Sequence, residues 1–252
     1  MRRAWLAAIP AVALAAGPAL GGAWTRPAGE TFVSAAASYY RTESDIPYEE
    51  ATTTLYVEHG FREGLTIGGA LEVTEPVGES EPLDGDVTAA LFVQRRLWVG
   101  DAGDPLSLQL GLRAPLGDVA GGRPPQLGTD DAAAELRLLY GRGFETGFGG
   151  AFFDGQAAVR RNFGDDADEI RLDVTVGLRP EPRWLVMAQS FTTLGLENAE
   201  RRGADFSVTK LAPSIGYEVI PGVTALIGVE REIAGRNVDL GTRLRAAVWT
   251  AF

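Results

Sequence analysis

Charged residues stand at alternate positions along many short segments of this chain, and opposite charges recur at matched distances from the loops between them. The first half supplies Glu58, Glu72, Gln94, Arg96, Arg113, Glu135 and Arg137. The second supplies Asp154, Gln156, Arg160, Arg171, Asp173, Lys210, Glu218, Glu230, Glu232, Arg243 and Arg245. Folding neighbouring segments into hairpins predicts that Arg113 opposes Glu135 and that Arg137 lies beside Asp154. It likewise predicts that Arg160 meets Asp173, Arg243 meets Glu232 and Arg245 meets Glu230. Two chemistries fit such rows. One is a transverse field that orients a solute in a narrow pore; the other is an ion-pair lattice that fills an interior. The residues alone leave both open.

Other chemistries are poorly supplied. There is no cysteine, so neither disulfides nor thiolate metal sites are available. His59 is the single histidine, and Phe61 rather than a serine stands two positions on, which argues against a lipid-facing hydrolase. His59 reads as an interfacial residue. The acidic stretches Glu79–Asp86 and Gly164–Glu169 carry oxygen ligands but lack the spacing of a calcium loop. Gly147–Gly150 lacks the Lys-Ser/Thr that completes a phosphate loop. No catalytic residue, cofactor or metal is expected. The net charge of -11 argues against a nucleic-acid partner.

The elements that hold the charged rows alternate with period two. Leu106, Leu108, Leu110, Leu112 and Ala114 share one face; Ser107, Gln109, Gly111 and Arg113 share the other. Ile170, Leu172, Val174, Val176 and Leu178 likewise oppose Glu169, Arg171, Asp173, Thr175 and Gly177. About twelve such segments follow one another, near 31–41, 52–61, 65–74, 87–99, 106–116 and 132–143 in the first half. In the second half they lie near 150–163, 169–178, 183–194, 205–218, 223–233 and 240–252. Long or acidic connections alternate with mostly tight ones such as Arg62–Gly64 and Val219–Gly222. These features predict an all-β fold: a transmembrane antiparallel up-and-down barrel with short periplasmic turns and longer outer loops.

Residues 1–23 have a basic start, an apolar run broken by Pro10 and Pro18, and small residues at the end. That is the layout of an export signal, leaving 24–252 as the barrel. An even strand count places both termini on the periplasmic side of the outer membrane of a Gram-negative bacterium. On the last segment Leu244, Ala246, Val248 and Phe252 share a face, the pattern by which the barrel-assembly machinery would recognise it.

Several stretches resemble a family of proteobacterial outer-membrane barrels of mostly unassigned function, distantly similar to those named for a meta-pathway of phenol degradation. They are Gly22–Glu30, Leu138–Phe144, Asp168–Phe191 and Ala247–Phe252. The resemblance implies an outer-membrane barrel and brings no substrate or catalytic residues. The expectation is a channel that passes a small solute through a narrow charged lumen, with outer-membrane lipid and lipopolysaccharide around it. The alternative is a non-conducting structural or surface-interaction barrel whose acidic loops do the work.

Overall fold

The computed structural model describes residues 22–45, 47–77, 86–118, 132–200 and 205–252. Twelve strands follow one another: β1 (Thr31–Thr42), β2 (Glu49–Arg62), β3 (Leu65–Pro76), β4 (Asp86–Val99), β5 (Pro105–Asp118) and β6 (Ala133–Thr146). Then come β7 (Gly149–Asn162), β8 (Glu169–Arg179), β9 (Trp184–Gly195), β10 (Ser207–Ile220), β11 (Val223–Arg236) and β12 (Gly241–Ala251). Every strand pairs antiparallel with its sequence neighbours, and β12 returns to β1, from Phe32 opposite Ala251 to Thr42 opposite Gly241. The barrel is closed, so no strand edge is left unpaired.

Alternation sorts the side chains between two solvents. Leu110, Leu136 and Val159 are neighbours across β5, β6 and β7 and are 60%, 52% and 56% exposed. Gln109 and Arg137, one step along the same strands, are each 1% exposed. Apolar groups outside and charged groups inside invert the arrangement of a water-soluble sandwich. Only a hydrocarbon surround makes that outer face favourable. Exposed Phe61, Trp98, Phe144, Phe148, Trp184 and Phe252 gather at the short-turn end. They form the aromatic girdle expected where a barrel meets an interface.

The hairpin registers correct the pairing predicted from loop centres. Arg113 lies opposite Ala133, and Glu135 opposite Gly111. Arg137 faces Ala158, while Asp154 faces Gly141. Arg160 stands opposite Glu169 rather than Asp173, which faces Gln156. Arg243 opposes Glu230 rather than Glu232, and Arg245 opposes Gly228. Moving a loop centre by one residue moves each partner by two, which preserves the inward face but changes the neighbour.

Candidate functional site: the barrel interior

The half of the lumen nearest the long loops is hollow. Its cavity of about 350 Å³ is lined by Glu72, Arg113, Glu135, Arg160, Arg171, Lys210, Glu230, Arg243 and Arg245 among others. Through Phe191, Glu230 and Arg245 it adjoins a recess of about 40 Å³ beside Met187, Ser214 and Trp249. Tyr48, from the connection between β1 and β2, also reaches the cavity and donates its hydroxyl to Glu50 Oε2 at 3.0 Å. Burial, and then the Glu50 charge, push the Tyr48 phenol well above its ordinary range, so it remains a neutral donor.

Three groups of ions cross the interior. Arg137 donates from Nε to Glu135 Oε1 at 2.8 Å, and from Nη1 to Asp173 Oδ2 at 2.5 Å and Gln156 Oε1 at 2.6 Å. Arg160 closes on the same Glu135 through Nε at 3.1 Å and Nη2 at 2.9 Å, and reaches Glu169 at 3.5 Å. On the opposite wall Arg243 donates to Glu50 at 2.6 Å and Ser38 at 3.0 Å, with its guanidinium 5.0 Å from the Tyr40 ring centroid. Tyr40 donates to Glu232 at 2.8 Å, and Lys210 reaches Glu230 at 3.4 Å and Glu232 at 3.2 Å. Arg113 lies 3.6 Å from Glu72. The partners run mostly around the wall rather than straight across a hairpin.

The short-turn half is filled. Phe32, Tyr56, Phe92, Leu185, Met187, Leu226, Ala247 and Trp249 pack there as a buried apolar cluster. Beside them lies the segment that precedes β1. Ala23, fully buried, donates its amide to Asp154 Oδ2 at 2.7 Å and accepts from Ser107 Oγ at 2.6 Å. Gln94 donates to the carbonyls of Gly22 at 2.9 Å and Ala23 at 3.3 Å. Arg26 donates its amide to Thr66 at 2.8 Å and its Nε to Glu58 at 2.6 Å, and stacks 4.3 Å from the Phe32 ring centroid. Two glycines make room for this segment. A Cβ at Gly60 would overlap the Pro27 carbonyl, and one at Gly141 would press on the Trp24 ring.

The remaining sequence-predicted positions fall elsewhere. Arg96 pairs with Glu63 at the β2–β3 turn, and Glu218 accepts from the Gly222 amide at 2.8 Å at the β10–β11 turn. Both belong to the short-turn rim rather than the cavity. Leu244, Ala246, Val248 and Phe252 lie exposed on the outer face at the end of the chain. His59 hydrogen-bonds Thr31 Oγ1 at 2.9 Å. Of the acidic stretches, Gly164–Glu169 is tied by Asp168 to Arg161 at 2.5 Å and to the Asn198 side chain at 2.9 Å. Residues 79–85 lie outside the described residues, as do 1–21 and 119–131. Among the described residues no group of His, Asp or Glu is arranged to hold a metal ion.

Sequence reasoning placed Ser107 and Gln109 on the inward face with Arg113 without counting them in the lining, and it passed over the aromatic groups Tyr40 and Tyr56. It also missed the inward course of Gly22–Pro27. A polar, glycine- and proline-bearing stretch beside a cleavage site reads as linker, although Gly60 and Gly141 on facing strands were a usable signal.

Twelve-stranded channels of known structure share this architecture. An outer-membrane channel from Pseudomonas putida F1 of the COG4313 group superposes with a TM-score of 0.69 at 16% identity, covering 90% of this chain and 97% of the other. The NanC porin gives 0.60 at 12% identity, covering 86% of this chain and 98% of its own. The KdgM porin, in complex with disordered oligogalacturonate, gives 0.57 at 9% identity, covering 86% and 99%. The fold is the closed outer-membrane β-barrel that these structures share. No family model matches the sequence, and no curated protein does.

Proposed function

We propose that the chain is a passive channel of the Gram-negative outer membrane for small hydrophilic solutes, with its termini and short turns in the periplasm. The observation that carries this reading is the hollow long-loop half, walled by charged and hydroxyl side chains inside an apolar exterior. The channel-type architecture supports it, as do the porins that share it. A twelve-stranded barrel lies between eight strands, whose interior is filled by side chains, and the ~16 strands that leave a wide aqueous pore. This chain uses both possibilities, one in each half.

The inward segment Gly22–Pro27 then acts as the restriction, and the export signal is taken to end before Gly22 rather than after Ala23, since both residues are bonded into the lumen. It lies across the lumen between β3, β4, β5 and β7, held by side chains of Thr66, Gln94, Ser107 and Asp154. We read the acidic long loops as meeting lipopolysaccharide, and the exposed apolar face ending at Phe252 as the part presented to the barrel-assembly machinery.

Liposome swelling tests the channel directly. Vesicles containing the folded protein should swell in small sugars and amino acids, and progressively less as solute size grows. The packed short-turn half favours the rival, a non-conducting structural barrel. Vesicles that swell no faster than protein-free ones, with folding verified, would decide for that rival.

A further inference from the structure

Most cations that line the long-loop cavity are committed to carboxylates: Arg113 to Glu72, Arg160 to Glu135 and Glu169, Lys210 to Glu230 and Glu232, and Arg243 to Glu50. Two are not. Among the described residues Arg171 keeps one long contact, 3.7 Å to Glu135, and its buried Nε has no partner. Arg245 makes no salt bridge or hydrogen bond among the described residues, although Glu230 and Glu72 contribute to its field. Both guanidinia are half-buried and face the cavity, where their donors are open to a solute with acceptors to offer.

The recess beside Arg245 continues the pattern. It is lined by Ser214 and Trp249, whose Oγ and Nε1 are both buried and without partners. An indole N–H and a guanidinium can only donate, and a hydroxyl can donate as well. Four donor groups without full partners among the described residues therefore border two adjoining spaces, whereas Glu72, Glu135 and Glu230, which line the same space, are already paired with cations. Around the donors stand Phe191, Thr193 and Val208, an apolar and hydroxyl-bearing wall suited to a carbon skeleton.

We propose that this cavity is a binding site for a small organic dianion, with one carboxylate engaged by Arg245 on β12 and the other by Arg171 on β8. A carboxylate supplies the missing acceptors, and charge-assisted bonds to a guanidinium are the stronger kind. The volume of about 350 Å³ lies at the lower end of the ~300–1,000 Å³ usual for small-molecule sites. This assignment rests on the channel reading for its biological meaning, since the anion would be the solute in transit. The site itself is testable without conduction.

Succinate, glucose and choline are the probes, titrated calorimetrically into the folded full-length barrel in detergent at fixed ionic strength. Succinate should bind, and glucose and choline should not. R245Q and R171Q should each weaken succinate binding at least about tenfold, the loss of one charge-assisted contact. Arg245→Lys keeps the charge but not the planar fork, so it should lose less than R245Q, and it serves if the glutamine variant does not fold. Succinate binding no tighter than glucose, or binding unchanged in folded variants at both arginines, overturns the site even if the barrel conducts. Succinate binding in a barrel that passes no solute upholds the site and overturns the channel reading instead.

Discussion

Removing Gly22–Pro27 should raise single-channel conductance severalfold. The segment occupies the short-turn half of the lumen, where Ala23 is fully buried and Arg26 is 3% exposed. Barrel closure does not depend on it, because β1 pairs with β12 only from Phe32 onward. A chain refolded from Ala28 therefore keeps all twelve strands but loses the groups that cross between Thr66, Gln94, Ser107 and Asp154. Water replaces them. Glu58 also loses Arg26, its cation at 2.6 Å, and keeps only the Tyr56 hydroxyl at 2.6 Å among its protein donors in the described residues, so water entering the same space must supply the rest. Bilayer recordings of the intact and shortened chains check the result. Gly60→Val offers the same comparison without shortening the chain, since its side chain would drive into Pro27. Equal conductance in all three would mean that the segment does not restrict the path.

Arg137→Met should cost about 3–5 kcal/mol of stability, the usual penalty when one partner of a buried pair is removed. Arg137 is 1% exposed and serves Glu135, Asp173 and Gln156 together, so its loss strands Asp173 and takes one cation from Glu135. Arg160 and Arg171 still reach Glu135, but among the salt bridges of the described residues Asp173 has only Arg137. Adding Asp173→Asn to the methionine variant should recover part of the loss, because the stranded charge goes with it. Urea unfolding in lipid vesicles, followed by tryptophan fluorescence, measures both. A methionine variant as stable as the parent would show that this layer is well hydrated.

Strand number, closure and the inside–outside assignment were legible because they depend on parity alone. Leu106 to Ala114 reads as apolar-out whatever its partner, and a one-residue error in a loop centre cannot turn it over. Partner identity shifts by two for each residue of error in the loop centre, so a centre two residues away puts Asp173 instead of Glu169 opposite Arg160. The bonds that matter most also cross several strands. Arg243 on β12 reaches Glu50 on β2, and Arg137 on β6 reaches Asp173 on β8. Closure and the curvature of the wall bring these side chains together, and neither is written in local periodicity. Arg26 and Ala23 were illegible for another reason. Their partners lie on β2, β3, β4, β5 and β7, and no pattern within the segment itself announces a surface that receives it.

The central claim is that solute crosses this barrel through its charged interior. Planar-bilayer recording of the purified, folded full-length chain tests it most directly. The account predicts discrete small current steps that grow with salt concentration. A folded barrel that gives no steps, both intact and without Gly22–Pro27, would contradict it.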